Sequence, residues 1–261
     1  MNPIFDAYAA YYDLLYQGKD YTGEASYVLE LLAEQGLTTG SILELGCGTG
    51  KHSTAFAHAG FDVEGIDLSQ QMIDRAIQLN GGSTPNAIFS VGDARTLRTG
   101  KKYDAVLALF HVASYQTSNR DISQMFDTAA AHLDEGGIFI FDYWHGPGVL
   151  TDLPEIRKKV LEDATCEIVR IATPTMHPSK NVVDVDYHIE ARRKGESRVD
   201  SAAERHSMRY FFEPELEVLL ELSGLCKIGT FEFLTKSAPS LKTWQAITIS
   251  SLLKRDSTQH T

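Results

Sequence analysis

The sequence predicts an α/β fold, in which a doubly wound and mostly parallel sheet of seven strands is joined by a small antiparallel β insertion. Three observations support this prediction. Strand-like and helix-like segments alternate from residue 41 to residue 142, as they do in parallel sheets. A glycine-rich turn follows the first of these strands. Strand-like runs without intervening helices then occupy residues 165–212, before a final helix and two strands.

The first 40 residues are predicted to form an N-terminal helical cap on a single domain that spans residues 1–261. Residues 25–34 have the apolar spacing of a helix. Upstream, Tyr8, Tyr12 and Tyr16 are candidates for closing a ligand pocket. Hydroxyl-bearing aromatic rings suit an apolar site that needs a few hydrogen bonds. The alternative for each tyrosine is simple packing against the core.

Residues 41–145 are predicted to form the ligand-binding core. Helices are expected after its first, second and fourth strands, beginning near Lys51, Ser69 and Asp121. Ser69 is a typical N-cap, because its hydroxyl can accept a hydrogen bond from the first helical turn. Ligands bind such sheets beyond the carboxyl ends of the strands. The strands themselves are expected near residues 41–45, 61–66, 87–91, 103–110 and 138–141.

The alternation of strands and helices stops after this core. Residues 155–212 are predicted to form the antiparallel insertion as a small second sheet, which covers the pocket, contacts a second subunit in a homodimer, or does both. Residues 213–253 are predicted to complete the core sheet. Pro214 opens a helix in its first turn, Gly224 ends that helix, and two strands then form a hairpin at the sheet edge.

The composition and charge exclude several classes of partner. The chain has 261 residues, of which 23% are charged, and its formal net charge of -11 argues against a nucleic-acid partner. No apolar run approaches the roughly 20 residues of a membrane span, and the start lacks the pattern of a signal peptide. Three scattered cysteines indicate reduced thiols. We therefore expect a cytoplasmic protein without a metal site.

The turn formed by residues 46–50, Gly-Cys-Gly-Thr-Gly, indicates which ligand the core binds. Alternate glycines let a ligand lie against the backbone, and the following helix offers unpaired N–H groups. The dinucleotide fingerprint has a different spacing, G-x-G-x-x-G. Glu44 before the turn disfavours a pyrophosphate and favours a ligand with an ammonium and a sulfonium, while Asp67 suits a ribose diol. This chemistry indicates S-adenosylmethionine rather than a nicotinamide cofactor.

Four landmarks, in this order, resemble those of class I S-adenosylmethionine-dependent methyltransferases. They are residues 44–50 (Glu-Leu-Gly-Cys-Gly-Thr-Gly), residues 65–69 with Met72, residues 92–94 (Gly-Asp-Ala) and residues 133–137 (Leu-Asp-Glu-Gly-Gly). The resemblance implies a Rossmann-like sheet, S-adenosylmethionine as the cofactor and methyl transfer as the activity.

The resemblance also implies a role for each position of the cofactor site. Glycines approach the methionine moiety, one acid takes the ribose hydroxyls, two apolar residues flank the adenine, and a second acid with its neighbour binds the adenine amino group. These residues are, in the same order, Gly46, Gly48 and Gly50, then Asp67, then Leu68 and Met72, then Asp93 and Ala94. The predicted set is completed by Glu44, Cys47, Phe110, Tyr12 and Tyr16.

The flanking segments are similar to small-molecule N-methyltransferases, most closely to those that methylate the amino group of nucleotide-linked deoxyamino sugars. Residues 8–16 resemble their N-terminal helix, and residues 204–211 resemble their late strand. Those enzymes tend to have small residues after the fourth strand, whereas residues 110–115 here are Phe-His-Val-Ala-Ser-Tyr. A different acceptor pocket is therefore expected.

The segment after the fourth strand lies over the transferred methyl group in this family, which makes His111 and Tyr115 the candidate catalytic residues. Their alternative roles are to cap the strand and to start the next helix. The predicted acceptor-binding residues are Tyr8, Trp144, His145, His206 and Arg209. An arginine suits a diphosphate, although Arg209 could equally form a surface ion pair and the aromatic residues could only pack.

We therefore predict methyl transfer from S-adenosylmethionine to a small-molecule acceptor, with the amino group of a sugar nucleotide as that acceptor. One alternative is an O-methyltransferase acting on the hydroxyl of a sugar or other metabolite, which would need a firmer general base at His111 or His206. Another is a protein that binds S-adenosylmethionine without catalysis.

Overall fold

The computed structural model describes residues 18–80, 86–162, 166–195 and 199–253. Its helices are α1 (Tyr21–Glu34), α2 (Lys51–His58), α3 (Gln70–Asn80), α4 (Asn119–His132), α5 (Gly146–Thr151) and α6 (Glu213–Leu222). Its strands are β1 (Gly40–Leu45), β2 (Phe61–Asp67), β3 (Ala87–Val91), β4 (Tyr103–Ala108), β5 (Leu133–His145), β6 (Arg157–Glu162), β7 (Cys166–His177), β8 (Val182–Arg193), β9 (Val199–Phe211), β10 (Leu225–Glu232) and β11 (Gln245–Leu252).

The first five strands form a parallel sheet in the order β3-β2-β1-β4-β5. β11 extends it antiparallel to β5, and β10 pairs antiparallel with β11. The predicted α/β class, with a doubly wound and mostly parallel sheet, is therefore confirmed. β1 and β4 are neighbours although β2 and β3 lie between them in the chain, so the strand order reverses there. Open sheets bind their ligands at such a point.

The antiparallel strands β6 to β9 pair in chain order. The expected small second sheet is instead continuous with the first, because the end of β9 pairs in parallel with the end of β5. Trp144 lies opposite Tyr210, and His145 lies opposite Phe211. This short contact brings β9 to the carboxyl end of the core sheet. The insertion thus lies beside the edge where a ligand is expected.

Two apolar layers cover the faces of the core sheet. On one face, α4 and α6 pack on the sheet around Phe126, whose ring centroid lies 5.0 Å from that of Phe141. On the other, α1 and α2 pack through residues such as Leu31 and Phe56, which are fully buried. With helices on both faces, ligand access is restricted to the strand ends.

The boundaries of α1 differ from the expected helix. α1 begins at Tyr21 rather than near residue 25, because Asp20 caps it: its carboxylate accepts the N–H of Gly23 at 2.8 Å. Such a side-chain cap satisfies a backbone donor of the first turn. Within the described residues, the structure has no helix with the length and apolar character needed to cross a membrane.

Candidate active site

A cavity of about 510 Å³ opens where the strand order reverses. Its walls come from the turns that follow β1, β2, β3 and β4, and on the opposite side from Trp144 of β5 and from β8 and β9. Its volume lies within the range of small-molecule sites. The cavity is therefore the candidate active site, with the glycine turn at one side and the insertion at the other.

The glycine turn, which follows β1, forms one wall of the cavity. Gly46 and Gly48 line the cavity with φ values of 73° and 55°, which glycine adopts without a steric penalty. Cys47 donates its N–H to the carbonyl of Ile66 at 2.8 Å and so ties the turn to β2. A Cβ atom on Gly46 would lie 2.5 Å from Cγ2 of Val112. A side chain at Gly46 would therefore collide with Val112, another residue of the cavity lining.

The carboxylate of Asp67 is held by backbone donors at the end of β2. Oδ2 accepts the N–H of Gly48 and Oδ1 accepts the N–H of Ser69, each at 2.9 Å. Burial raises the pKa of Asp67, and these backbone donors oppose the rise. Each oxygen has a second lone pair, so the fixed carboxylate can accept two adjacent hydroxyls. Leu68 and Met72 line the same cavity.

Asp93, which follows β3 in the chain, lines the cavity and is paired with Arg95. The backbone N–H and Nε of Arg95 each lie 2.9 Å from Oδ1, and Nη2 lies 2.7 Å from Oδ2. These hydrogen bonds hold the pKa of Asp93 below its usual value. Ala94 and Arg95 also line the cavity. Arg95 was not among the predicted site residues. Its position two residues after Asp93 could have been used to predict that the two side chains form an ion pair.

Three predicted cofactor-binding residues, Glu44, Cys47 and Gly50, are absent from the described lining of the cavity. Glu44 is 1% exposed; its carboxylate accepts the hydroxyl of Ser53 and lies 3.7 Å from Nδ1 of His52, both on α2. Burial raises the pKa of Glu44. Because side chains alternate along a strand, this carboxylate faces α2 and not the cavity. The expected contact between Glu44 and a ligand therefore stays a prediction, and in this structure the carboxylate is bound to α2 instead.

His111 lies in the cavity wall after β4, next to a buried carboxylate. Phe110 and His111 both have left-handed backbone, with φ values of 63° and 68°. The N–H of His111 donates to Asp142 at 3.0 Å, and Nδ1 of its ring lies 2.9 Å from Oδ2 of Asp142. Gln245 donates to the same oxygen at 2.7 Å. Asp142 and Gln245 were not among the predicted site residues.

The electrostatics of this pair follow from its burial. Asp142 is fully buried. Burial pushes the pKa of Asp142 upward, but the neighbouring His111 and the hydrogen bonds outweigh it and hold that pKa below its usual value. Asp142 therefore remains a carboxylate that can stabilise a proton on the His111 ring.

The wall formed by the insertion meets the loop after β4 through Tyr115. Its hydroxyl lies 2.8 Å from Nδ1 of His206 on β9. Trp144 packs edge-on to His111, with ring centroids 6.2 Å apart. The structure thus brings four of the predicted catalytic and acceptor-binding residues to one cavity, together with Phe110.

The other predicted acceptor-binding residues lie elsewhere. His145 is buried, with Nδ1 2.9 Å from the carbonyl oxygen of Thr243, and it is not part of the described cavity lining. Arg209 lines a second cavity of about 670 Å³ and pairs with Glu215 at 3.1 Å. The two cavities are neighbours, because Thr117 and Ser207 line both. Tyr8, Tyr12 and Tyr16 lie outside the described residues.

Comparison with known proteins relates the chain that forms this cavity to methyltransferases. Residues 42–137, which contain the glycine turn, Asp67, Asp93 and His111, match the family described as "Methyltransferase domain". This chain is a methyltransferase that uses S-adenosylmethionine. The methyltransferase is 27% identical, over 84% of its length and 90% of the relative's, to a dTDP-3-amino-3,4,6-trideoxy-alpha-D-glucopyranose N,N-dimethyltransferase of Streptomyces venezuelae. It is 25% identical to a dTDP-3-amino-3,6-dideoxy-alpha-D-glucopyranose N,N-dimethyltransferase of Streptomyces fradiae, over 83% of each chain.

Solved structures share the fold of the methyltransferase. A S-adenosylmethionine-dependent methyltransferase from Clostridium acetobutylicum has a TM-score of 0.80 at 19% identity, and the match covers 96% of this chain and 99% of that one. Streptomyces venezuelae DesVI has a TM-score of 0.76 at 23% identity, covering 92% and 97%. Both matches extend well beyond residues 42–137, so the insertion belongs to the shared fold.

The methyltransferase cavity fits S-adenosylmethionine, its cofactor. Gly46 and Gly48 line the cavity with left-handed backbone, and a Cβ on Gly46 would collide with Val112. A turn without side chains suits a ligand lying flat against the chain. The carboxylate of Asp67 is fixed by two backbone donors and can accept adjacent hydroxyls of a ribose. Leu68 and Met72 provide an apolar surface beside it.

We expect the substitution Gly46→Ala to destabilise the methyltransferase and weaken cofactor binding. A side chain in left-handed backbone costs about 1–2 kcal/mol, and the new methyl group would collide with Val112. The free energy of unfolding, from denaturant titration, should fall by about 1–3 kcal/mol. Gly60→Ala is the matched control, because Gly60 has a φ of 99° but open space around it. Wild-type cofactor affinity in Gly46→Ala would contradict the predicted role of the turn.

Proposed function

We propose that the methyltransferase methylates the amino group of a sugar nucleotide. The observation that supports this most directly is the pair formed by His111 and Asp142 in the cavity wall, with 2.9 Å between ring nitrogen and carboxylate. An aliphatic amine is protonated at neutral pH, and it must lose a proton before it can attack. A histidine beside a buried carboxylate is suited to accept that proton.

The cofactor and the residues of the cavity are proposed to have separate roles in the reaction. S-adenosylmethionine supplies, when bound, a methyl group activated by its sulfonium. The chain then orients the acceptor nitrogen, and orientation of this kind can contribute roughly 7–11 kcal/mol to lowering a barrier. His111 takes the acceptor's proton on Nε2, and Asp142 stabilises the resulting imidazolium. Trp144 and Phe110 exclude water from the acceptor.

The proposed cofactor contacts place each part of S-adenosylmethionine against residues of matching chemistry. The methionine moiety lies on the glycine turn, the ribose on an acid, and the adenine between apolar residues and a second acid. The residues are Gly46 and Gly48, Asp67, Leu68 and Met72, and Asp93 with Ala94. Tyr12 and Tyr16 are proposed to close over the cofactor, and Tyr8 over the acceptor.

The second cavity supports a nucleotide-linked acceptor over a free sugar. It adjoins the active-site cavity at Thr117 and Ser207, is predominantly polar, and has Arg209 and Lys180 in its wall. A guanidinium binds phosphate oxygens in a fixed, bidentate geometry. We propose that the sugar occupies the cavity beside His111 and that the diphosphate and nucleoside extend toward Arg209. The relatives from both Streptomyces species are named for dTDP-linked amino sugars.

A panel of acceptors tests this function. The purified chain is incubated with labelled S-adenosylmethionine and one of three compounds: a dTDP-linked 3-amino sugar, the same sugar nucleotide with a hydroxyl at that carbon, and the amino sugar without nucleotide. We expect the first to be methylated at nitrogen, most efficiently of the three. Methylation of the hydroxyl compound would favour an O-methyltransferase. Cofactor binding without transfer to amino or hydroxyl acceptors of this class would favour a non-catalytic protein.

We also infer that the methyltransferase acts in the cytoplasm, without a nucleic-acid partner, as a homodimer joined through the insertion. β6 pairs only with β7 among the described strands. Apolar side chains are exposed on and before it, including Ile156 at 69% and Val160 at 55%. Exposed apolar patches and unpaired strand edges mark contact sites. Light scattering should give a dimer that Val160→Lys shifts toward monomer; a monomeric wild type would contradict the inference.

A further inference from the structure

We propose that Glu204, His206 and Tyr115 form a proton relay into the acceptor end of the cavity, with Glu204 as its positioning residue. The relay is separate from the pair formed by His111 and Asp142. That pair takes the proton that the acceptor loses before methyl transfer, and the relay takes the proton that the methylated ammonium loses afterwards. It rests on the proposed function in one respect only, namely that the acceptor presents a proton to be removed.

The three side chains form a continuous chain of polar contacts from the interior to the cavity. Oε2 of Glu204 lies 3.2 Å from Nε2 of His206, and Nδ1 of His206 lies 2.8 Å from the hydroxyl of Tyr115. Glu204 and His206 have side chains only 2% and 5% exposed. Tyr115 and His206 line the cavity, whereas Glu204 lies behind them. The ring of Tyr187 packs edge-on against His206, with centroids 5.0 Å apart, and fixes its plane.

The chemistry of the three groups sets the direction of the relay. A carboxylate only accepts hydrogen bonds, so Nε2–H of a neutral His206 is the donor toward Glu204. Nδ1 then has a lone pair and accepts the O–H of Tyr115. Because its proton is directed at Nδ1 of His206, the hydroxyl of Tyr115, which lines the cavity, meets a bound ligand as a hydrogen-bond acceptor. An acceptor N–H is the matching partner for that oxygen.

The proton transfer balances without any further reactant. After methyl transfer, an N–H bond of the methylated acceptor ammonium breaks, and its proton forms an O–H bond with Tyr115. The original Tyr115 proton moves to Nδ1 of His206 in the same step. The acceptor nitrogen keeps the electron pair and becomes a neutral amine, while His206 becomes an imidazolium beside the carboxylate of Glu204. The arrangement uses an acid to orient and stabilise a histidine, as serine hydrolase triads do.

A purely structural role accounts poorly for Glu204. Its second oxygen, Oε1, is buried and has no hydrogen-bond partner among the described residues. A buried carboxylate oxygen without a donor lowers the free energy of unfolding. Glu204 therefore destabilises the fold relative to an apolar residue at the same position. Buried polar groups that lack hydrogen-bond partners are found most often at functional sites.

The test compares two isosteric substitutions in the full-length chain. Glu204→Gln removes the charge behind His206. Glu190→Gln is the matched control, because Glu190 stands two residues from His188 at the same 3.2 Å, but both side chains are 52% exposed on β8. We expect Glu204→Gln to lower kcat by about tenfold or more, since general acid–base groups contribute roughly 10²–10⁴-fold. Cofactor affinity should stay within about twofold of wild type, and Glu190→Gln should change neither quantity.

Two further measurements separate the relay from a structural effect. Nitrogen NMR of the wild type should show the proton of neutral His206 on Nε2, and this requires no acceptor. The double variant Glu204→Gln/Tyr115→Phe should be no slower than Tyr115→Phe alone, because both changes break one chain of contacts. A proton on Nδ1, multiplicative losses, or an unchanged kcat in Glu204→Gln would each overturn the relay. If the acceptor panel identifies another class of acceptor, the NMR result still stands and the kinetics use that acceptor.

Discussion

Replacing Asp67 by asparagine should weaken the binding of S-adenosylmethionine by about tenfold or more. Hydrogen bonds to a charged group contribute roughly 1.5–3 kcal/mol, and the proposed ribose contact uses both oxygens of this carboxylate. Asparagine retains the shape of the side chain and one acceptor oxygen, so the N–H groups of Gly48 and Ser69 lose less than with alanine. Titration calorimetry with the purified chain measures the change directly. Asp67→Ala should cause a larger loss, because it also removes the acceptors that fix the glycine turn.

The pH dependence of binding gives this prediction its sharper form. Burial raises the pKa of Asp67, so its carboxylate gains a proton at a higher pH than an ordinary aspartate does. Wild-type affinity should therefore fall as the pH is lowered through that raised pKa, and the fall should begin at a higher pH than an ordinary aspartate would give. Asp67→Asn should be weak at every pH and lack this dependence. Asp62→Asn, an exposed position on the same strand, is the control; wild-type affinity in Asp67→Asn would remove the ribose assignment.

Much of this fold could be predicted because local patterns and tertiary structure agree. The central parallel strands β4 and β5 contain apolar runs and are buried along most of their length. Such runs, separated by amphipathic segments, leave few arrangements other than a doubly wound sheet. The continuity of the insertion with the core could not be predicted. It depends on two residue pairs between β5 and β9, which no sequence period encodes.

The candidate site also contains residues whose positions could be predicted from the sequence and residues whose positions could not. Gly48 and Asp67 are close in sequence and belong to a recognisable order of landmarks, so their juxtaposition was predictable. Asp142 lies 31 residues from His111, and its role depends on a fully buried contact at the end of two neighbouring strands. The orientation of Glu44 was equally inaccessible, since one residue of register decides which face of a strand a side chain takes. Sequence order was sufficient to propose the cofactor side of the cavity, whereas the proposed acceptor side depends on tertiary contacts.

Replacing His111 by asparagine should lower kcat at neutral pH by at least about tenfold, while affinity for S-adenosylmethionine stays within about twofold. General-base groups contribute roughly 10²–10⁴-fold, and water can replace part of that contribution. Asparagine is the informative choice because the backbone of His111 is left-handed, with a φ of 68°, which asparagine tolerates better than most residues. The backbone N–H that donates to Asp142 is retained. Steady-state kinetics with the acceptor from the panel measure the effect.

The loss in His111→Asn should shrink as the pH rises, and this distinguishes a base from a packing residue. An aliphatic ammonium has a pKa near 10.4 in lysine, so a growing fraction of the acceptor arrives neutral as the pH approaches that region. The variant should then approach wild-type kcat, because the step that His111 assists has already occurred in solution. His188→Asn, an exposed histidine on β8, should match wild type throughout. A loss of equal size at every pH would mean that His111 shapes the acceptor pocket without taking the proton.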